Sequence, residues 1–186
     1  LGHDAGDIGG GIAVCLQTAL RMQEKDPRVF VPQQFANVNN VKAHKNHTAL
    51  EIMEQVAGQI DGFCSGIGTG GTITGIGESL RAQYPGIEIW AVEPENAAIL
   101  AGGTIGTHLQ MGIGDGIIPD ILNQQIYDNI YVISDAEALD TAKRLAREEG
   151  LMCGISSGTN VAAALKLAKK LGPGKTVVTV LPDTAE

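Results

Sequence analysis

A glycine-rich segment between a strand pattern and a helix pattern constrains the fold more than any other feature. Five of the ten residues from 66 to 75 are glycine. A short apolar run at 60–65 precedes the segment, and apolar residues at helical spacing follow it as far as Tyr84. A strand that enters a helix through such a loop is typical of α/β folds, where backbone N–H groups at the helix start can hold a phosphate. A tight turn that binds nothing is the alternative.

The rest of the chain continues the alternation of strands and helices. Its patterns predict strands at 28–32, 60–65, 87–92, 130–133 and 175–181, and helices at 9–26, 48–57, 72–84, 134–150 and 157–171. Ser134 and Glu137 form a capping box, and Gly150 is suited to end the helix that they begin. The polar segment 37–47 is predicted to be a loop. This order predicts a three-layer α/β fold, a parallel sheet with helices on both faces.

Charge and composition exclude several classes of partner. The net charge of -8 opposes attraction to nucleic acid or to an anionic membrane. No apolar run reaches the roughly 18 residues that a transmembrane helix needs. Cys15, Cys64 and Cys153 are widely separated, with no spacing typical of a metal site or a disulfide framework. We therefore expect a cytoplasmic protein without a structural metal.

The glycine segment alone leaves the type of phosphate ligand open. Gly66, Gly68 and Gly71 also fit the dinucleotide fingerprint G-x-G-x-x-G, and Glu93 follows Gly71 by 22 residues, near the end of a predicted strand. A dinucleotide site does not account for two further glycine motifs, at 110–116 and 154–158.

Six motifs occur along the chain in a fixed order: Pro32-Gln-Gln-Phe35, Gly68-Thr-Gly-Gly-Thr72, Val92-Glu-Pro94, Gln110-Met-Gly-Ile-Gly114, Gly154-Ile-Ser-Ser-Gly158 and Leu181-Pro-Asp-Thr-Ala-Glu186. In this combination the chain resembles the later part of the cysteine synthases (O-acetylserine sulfhydrylases). They belong to the fold-type II pyridoxal phosphate enzymes, which have the tryptophan synthase β-like fold. The resemblance covers nearly all of the chain.

The resemblance implies pyridoxal 5'-phosphate as the cofactor and assigns residues to it. Five consecutive residues would hold its phosphate: Gly68, Thr69, Gly70, Gly71 and Thr72. Ser156 would face the pyridine nitrogen, where a neutral hydroxyl favours loss of a β-substituent over transamination. Capping of the following helix is the alternative role for Ser156. The implied substrate-binding residues are Gln34, Phe35, Gly112 and Gly114.

The resemblance also implies a Schiff-base lysine, and no lysine of this sequence lies in a matching segment. We expect that lysine, and the family's substrate loop, upstream of Leu1, so that no catalytic residue is predicted within this chain. Residues 1–31 are then a remnant of the smaller N-terminal domain, and 32–186 are most of the larger cofactor-binding domain. The α/β fold would be incomplete because its N-terminal part is absent.

For the intact protein, the resemblance implies replacement of the acetoxy group of O-acetylserine by sulfide to give cysteine and acetate. The fragment is expected to be inactive alone. A homodimer and a serine acetyltransferase partner are also implied. Two alternatives stay open: a cystathionine β-synthase-like enzyme, and a non-catalytic phosphate- or nucleotide-binding module. His44, His47 and His108 show no metal-ligand spacing and are predicted to be loop residues.

Overall fold

The computed structural model describes residues 8–185, so the first seven residues of the predicted domain remnant and Glu186 of the last motif lie outside it. Its helices and strands are α1 (Ile8–Lys25), α2 (Val38–Ala43), α3 (Ala49–Gln55), β1 (Gly62–Gly66), α4 (Gly71–Gln83), β2 (Glu88–Pro94), β3 (Asn129–Ile133), α5 (Asp135–Arg144), α6 (Ile155–Leu171) and β4 (Val177–Thr179). Two π-helical turns, His44–Thr48 and Leu145–Glu149, connect α2 to α3 and extend α5.

The four strands form one parallel sheet in the order β3-β2-β1-β4. Cys64 of β1 is paired with Trp90 of β2 on one side and with Thr179 of β4 on the other. Strand β1 lies inside the sheet, between β2 and β4, and continues into the glycine loop. The predicted parallel sheet is confirmed.

Each face of the sheet carries its own apolar core, because alternate residues of a strand point to opposite faces. Phe63 and Ile89 pack with buried residues of α4, including Ile76. On the opposite face, Cys64 and Trp90 belong to a second buried cluster, with residues of α5 and α6. The structure therefore has helices on both faces of the sheet, as the sequence predicts.

Two predicted elements are wrong. Residues 28–32 do not form a strand; Phe30 is 79% exposed, and the N–H of Val31 donates to the side chain of Gln23 (3.0 Å) rather than to a neighbouring strand. The predicted loop at 37–47 is instead helical, so His44 and His47 are not loop residues. Asn37 caps this helix through its side-chain oxygen, which accepts from the N–H of Asn39 (3.0 Å).

Close packing explains why a polar segment is helical here. A Cβ atom on Gly75 of α4 would lie 2.5 Å from the carbonyl oxygen of Val41, so the absence of a side chain lets α2 approach the backbone of α4. This contact depends on a glycine of α4, so the sequence of α2 alone does not predict that the segment is helical.

The helix boundary at Ser134 is as predicted. The Ser134 hydroxyl accepts from the N–H of Glu137 (3.3 Å), and Gly150 ends the helical stretch in the left-handed conformation (φ +71°). Between β2 and β3 the chain makes a long, mostly irregular excursion, which forms one wall of the cavity described next.

Candidate cofactor site

A cavity of about 740 Å³ opens beyond the carboxyl end of β1. Eight of the ten site residues predicted from the sequence line it: Gln34, Phe35, Gly68, Thr69, Gly70, Thr72, Gly112 and Ser156. The other two, Gly71 and Gly114, are not part of its lining. Segments far apart in the sequence are therefore brought to one place, at the carboxyl edge where parallel α/β sheets bind their ligands.

The glycine loop brings the N-terminus of α4 to this cavity. Gly70 has a left-handed backbone (φ +77°) immediately before the helix. A side chain on Gly68 would collide with the carbonyl oxygen of Gly112, so only glycine fits between the loop and the opposite wall. The first N–H groups of a helix have no partner within it, and its dipole favours negative charge there. The loop thus provides a cradle for an anion.

Two side chains of the α2 region hold the threonine hydroxyls of the loop. Asn40 donates through Nδ2 to Thr69 Oγ1 and to the backbone oxygen of Gln34, both at 3.0 Å. His44 Nε2 lies 3.2 Å from Thr72 Oγ1, and burial lowers the pKa of this histidine. Neither residue was predicted as a site residue, although three asparagines occur within residues 37–40.

Hydrogen bonds from His108 and Gln110 shape the opposite wall. His108 Nδ1 accepts from the N–H of Gln110 (3.2 Å), which assigns the ring proton to Nε2, where it is donated to Gly114 O (3.1 Å). Gln110 is fully buried and donates to the backbone of Ile133. Its Oε1 accepts from the Thr159 hydroxyl (2.8 Å). These bonds fix the irregular excursion to the ends of β3 and α6.

Asp183 caps α6 from a distant part of the chain. Its carboxylate accepts from the N–H groups of Ser156 (3.1 Å) and Ser157 (2.9 Å) and from the hydroxyl of Ser157. Burial alone would raise the pKa of Asp183, but the hydrogen bonds from the two serines outweigh burial and lower it. The N-cap residue itself, Gly154, has no side chain, and a Cβ there would collide with Asp183. Ser156 is therefore not the cap of this helix.

Asn160 joins the end of β1 to the segment after β4. Its Oδ1 accepts from the N–H of Gly66 (2.7 Å), and its Nδ2 donates to Val180 O (2.8 Å). The residue is 2% exposed and also lines the cavity. Neither Asn160 nor Asp183 was predicted as a site residue; a polar residue on the buried face of α6 was the available signal for Asn160.

The lining of the cavity contains no basic side chain among the described residues. Its two charged members are Asp115 and Asp183. Burial raises the pKa of Asp115, and the neighbouring His108 opposes this rise only in part. Neutral N–H groups, hydroxyls and the helix dipole are thus the groups that can hold an anion here.

Residues 8–185 contain neither a candidate membrane span nor a candidate metal centre. None of the helices there is long and apolar enough to cross a membrane. The same residues contain no group of three or more His, Cys, Asp or Glu side chains suited to a metal ion.

Fold and site together define an α/β protein with a glycine loop and a cavity, suited to an anionic ligand, at the carboxyl edge of a parallel sheet. Residues 2–183 match the model of a family described as "Pyridoxal-phosphate dependent enzyme". The chain belongs to this family. The resemblance found in the sequence is confirmed at this level, and the family's cofactor is the predicted one.

Curated relatives carry a more specific name. The chain is 48% identical over 158 residues to a cysteine synthase of Staphylococcus aureus, a match that covers 84% of this chain and 51% of the relative. It is 47% identical over 160 residues to cysteine synthase B of Campylobacter jejuni, covering 86% and 53%. The chain therefore spans about half the length of the curated relatives it matches.

Solved structures agree with the fold. An O-acetylserine dependent cystathionine β-synthase from Helicobacter pylori superposes with a TM-score of 0.90 at 36% identity, over 95% of this chain and 57% of that one. A cysteine synthase from Entamoeba histolytica gives a TM-score of 0.83 at 39% identity, over 91% and 50%. The predicted fold class is confirmed.

Proposed function

We propose that the protein carrying this chain is a cysteine synthase that uses pyridoxal phosphate. It would replace the acetoxy group of O-acetylserine with sulfide to give cysteine and acetate. The observation that carries this proposal is the convergence of the glycine loop, Ser156 and the Gln34 segment on one cavity, in a chain whose curated relatives are cysteine synthases. When bound, the cofactor supplies the electron sink that lets a substituent leave the β-carbon.

The five residues from Gly68 to Thr72 are proposed to hold the cofactor phosphate. The Gly68 position admits no side chain, and the Thr69 and Thr72 hydroxyls are held by Asn40 and His44. Backbone N–H groups at the start of α4 lie at the positive end of the helix dipole, and the N–H of Gly71 donates to Thr69 Oγ1 (3.3 Å). The cradle fits a phosphate without a lysine or arginine.

Ser156 is proposed to face the pyridine nitrogen. The side chain is 3% exposed and lines the cavity, and Asp183 performs the capping that would otherwise explain a serine at this place. A carboxylate would stabilise the positive charge of a protonated pyridine nitrogen. A neutral hydroxyl does not, so the ring nitrogen would stay largely unprotonated. This favours release of a β-substituent over transamination.

Gln34 and Phe35 are proposed to bind the carboxylate end of the amino-acid substrate. They follow Gln33, which has a positive φ (+51°), and the turn is closed by N–H groups of Ala36 and Asn37 bonded to Gln33 O. This turn directs both residues to the cavity.

Gly112 and Gly114 are proposed to shape the facing wall. Gly112 lines the cavity, whereas Gly114 lies behind it, where its N–H donates to Ile67 O (2.9 Å). The role of Gly114 is therefore to fix the wall rather than to touch substrate.

Several features of the whole protein are part of the same proposal. The Schiff-base lysine belongs to a segment outside this chain, and the boundary between the small and large domains falls near residue 31. The proposal also includes a homodimer, a serine acetyltransferase partner and a cytoplasmic location, as expected for a cysteine synthase.

The test is an assay of the full-length protein with O-acetylserine and sulfide, with cysteine measured directly. We expect cysteine to form only in the presence of pyridoxal phosphate. A Ser156→Ala variant should bind the cofactor with an altered absorption spectrum and should form less product, whereas Ser79→Ala, at a half-buried serine of α4 that does not line the cavity, should match the wild type. No cysteine from the wild-type holoenzyme would refute the proposal.

A cystathionine β-synthase-like enzyme is the second candidate, because the Helicobacter pylori structure with that name superposes closely. Replacing sulfide with homocysteine in the same assay separates the two: a kcat/KM for homocysteine above that for sulfide favours the second. Tight nucleotide binding, with a pyridoxal phosphate spectrum unchanged by Ser156→Ala, would favour a non-catalytic binding module.

A further inference from the structure

The cavity has an unusual charge distribution for a site proposed to bind anions. Among its described lining residues, Asp115 and Asp183 are the charged ones, and both are acidic. A second substrate that enters this cavity therefore meets negative side chains and no compensating positive one from this part of the chain.

The two carboxylates differ in their hydrogen bonding. Asp183 is satisfied by Ser156 and Ser157 at the start of α6. Asp115, in contrast, has no hydrogen bond or ion pair with any residue in the described part of the chain. Burial raises its pKa, the behaviour of a carboxyl group that lacks donors. A half-buried carboxylate without a partner is available to a ligand.

Asp115 lies at the edge of the glycine loop. A Cβ atom placed on Gly68 would be 3.6 Å from Asp115 Oδ2, and Gly68 has no side chain to separate the carboxylate from the cavity. Its neighbours on the wall, Met111 and Ile113, are apolar. An apolar wall lowers the local dielectric constant and lets one charge act strongly on a nearby ligand.

A structural role does not account for this residue. No helix begins at Asp115, so it is not a cap, and no metal-binding group was found among residues 8–185. Repulsion also makes Asp115 an unsuitable neighbour for the carboxylate of the amino-acid substrate, which is proposed to lie at Gln34 and Phe35 instead. The same repulsion makes it an unsuitable ligand for the cofactor phosphate. Of the molecules that the proposed reaction brings to the cavity, the sulfur nucleophile that supplies the new β-substituent remains.

We propose that Asp115 sets the charge selectivity for this second substrate: it favours a thiol that carries an ammonium group and disfavours a thiol that carries a carboxylate. The proposal rests on the proposed function, since it needs a β-replacement reaction with a sulfur nucleophile. Asp115 acts by attraction and repulsion, and no bond to it is made or broken.

The test uses the full-length holoenzyme with O-acetylserine and three small thiols of different charge: cysteamine, 2-mercaptoethanol and mercaptoacetate. The measured quantity is the ratio of kcat/KM for cysteamine to that for mercaptoacetate, divided by the same ratio in Asp115→Asn. This quotient cancels the intrinsic reactivities of the thiols. We expect this quotient to be about ten and to fall when salt screens the charge. The effect of Asp115→Asn on kcat/KM for the neutral 2-mercaptoethanol should lie between its effects for the two charged thiols.

Two control variants separate charge from structure. Asp120→Asn removes an exposed carboxylate five residues away that does not line the cavity, and it should leave the wild-type ratio unchanged. Asp115→Glu keeps the charge and should retain a cysteamine preference, which tests the proposal even if Asp115→Asn folds poorly.

The outcomes distinguish this proposal from the proposed function. Product from all acceptors with the same charge preference in wild type and Asp115→Asn would overturn the role of Asp115 and leave the proposed function intact. No product from sulfide or from any of the three thiols would overturn the proposed function, and the role of Asp115 with it.

Discussion

Replacing Asn160 with alanine tests how the cavity is held together. The Asn160 side chain is the hydrogen-bond partner of both Gly66 N, at the end of β1, and Val180 O, after β4. Alanine removes both bonds and keeps the helix. The two backbone groups then lose their side-chain partner.

The expected loss of stability follows from three contributions. Each buried backbone group left without its partner costs about 1 to 3 kcal/mol. Alanine has a higher helix propensity than asparagine, which offsets about 0.6 kcal/mol of the loss. Because Asn160 borders the cavity, water can also satisfy part of what is lost. The net cost is about 3 kcal/mol, which corresponds to roughly 6 to 12 °C in Tm for a domain of this size.

The assay combines denaturant unfolding with hydrogen exchange, both on the protein carrying this chain. Asn160→Ala should lower the unfolding midpoint and abolish the exchange protection of the Gly66 amide. Asn129→Ala is the matched control: its amide donates to Glu88 Oε1 (3.2 Å) on the exposed side of β3, so less than about 0.5 kcal/mol should be lost. A protected Gly66 amide in Asn160→Ala, with equal midpoints for the two variants, would refute this reasoning.

Two further predictions concern the glycine loop and acid stability. Gly70→Ala and Gly102→Ala share backbone strain of about 1 to 2 kcal/mol, from φ of +77° and +83°. The new Cβ at position 70 would also lie 2.8 Å from Leu122 Cβ, whereas the space around position 102 is open. Urea unfolding should therefore show that Gly70→Ala loses about 2 kcal/mol more free energy of unfolding than Gly102→Ala, and equal losses would contradict this expectation. Because the folded-state pKa of Asp183 is lowered, its stabilisation is complete above the unfolded value of about 3.9 and is lost as pH falls through the folded value. The urea midpoint should therefore drop less between pH 5 and pH 3 in Asp183→Asn than in wild type or Asp120→Asn, and identical drops would exclude this role.

The sequence predicts elements whose signal is local. The capping of α5 needs only Ser134, Glu137 and the apolar spacing after them, and the structure has this helix where it is predicted. The middle of strand β2 is a run of four apolar residues, Ile89 to Val92, typical of a strand buried on both faces. In both cases the residues that determine the element lie within it.

The prediction fails where a neighbouring element supplies the stabilisation. The segment Val38–Ala43 has no buried residue, so its pattern resembles a loop. It is helical because it packs closely against the glycine face of α4, near Gly75. Residues 28–32 have a strand-like composition, but no strand of the sheet is available beside them, and Phe30 is left exposed.

The same distinction separates the site residues that were predicted from those that were missed. The glycine loop is contiguous, and its motif can be recognised from residues 68–72 alone. Asn40, Asn160 and Asp183 act through partners 29, 94 and 26 residues away, and no local spacing encodes those pairs. The glycine loop of the cavity can therefore be predicted from the sequence. The residues that hold it in place can be identified only from the three-dimensional structure.

The way the missed residues act leads to one last inference about the division of roles in the cavity. Asn40 and Asn160 are neutral, and burial lowers the pKa of His44, which favours its uncharged ring. Asp183 is tied to the start of α6 and stays ionised because its pKa is lowered. Among the described lining residues, Asp115 is the charged one without a hydrogen bond. If Asp115 has the role proposed above, replacing it changes the acceptor preference and leaves the hydrogen bonds around the proposed phosphate cradle intact.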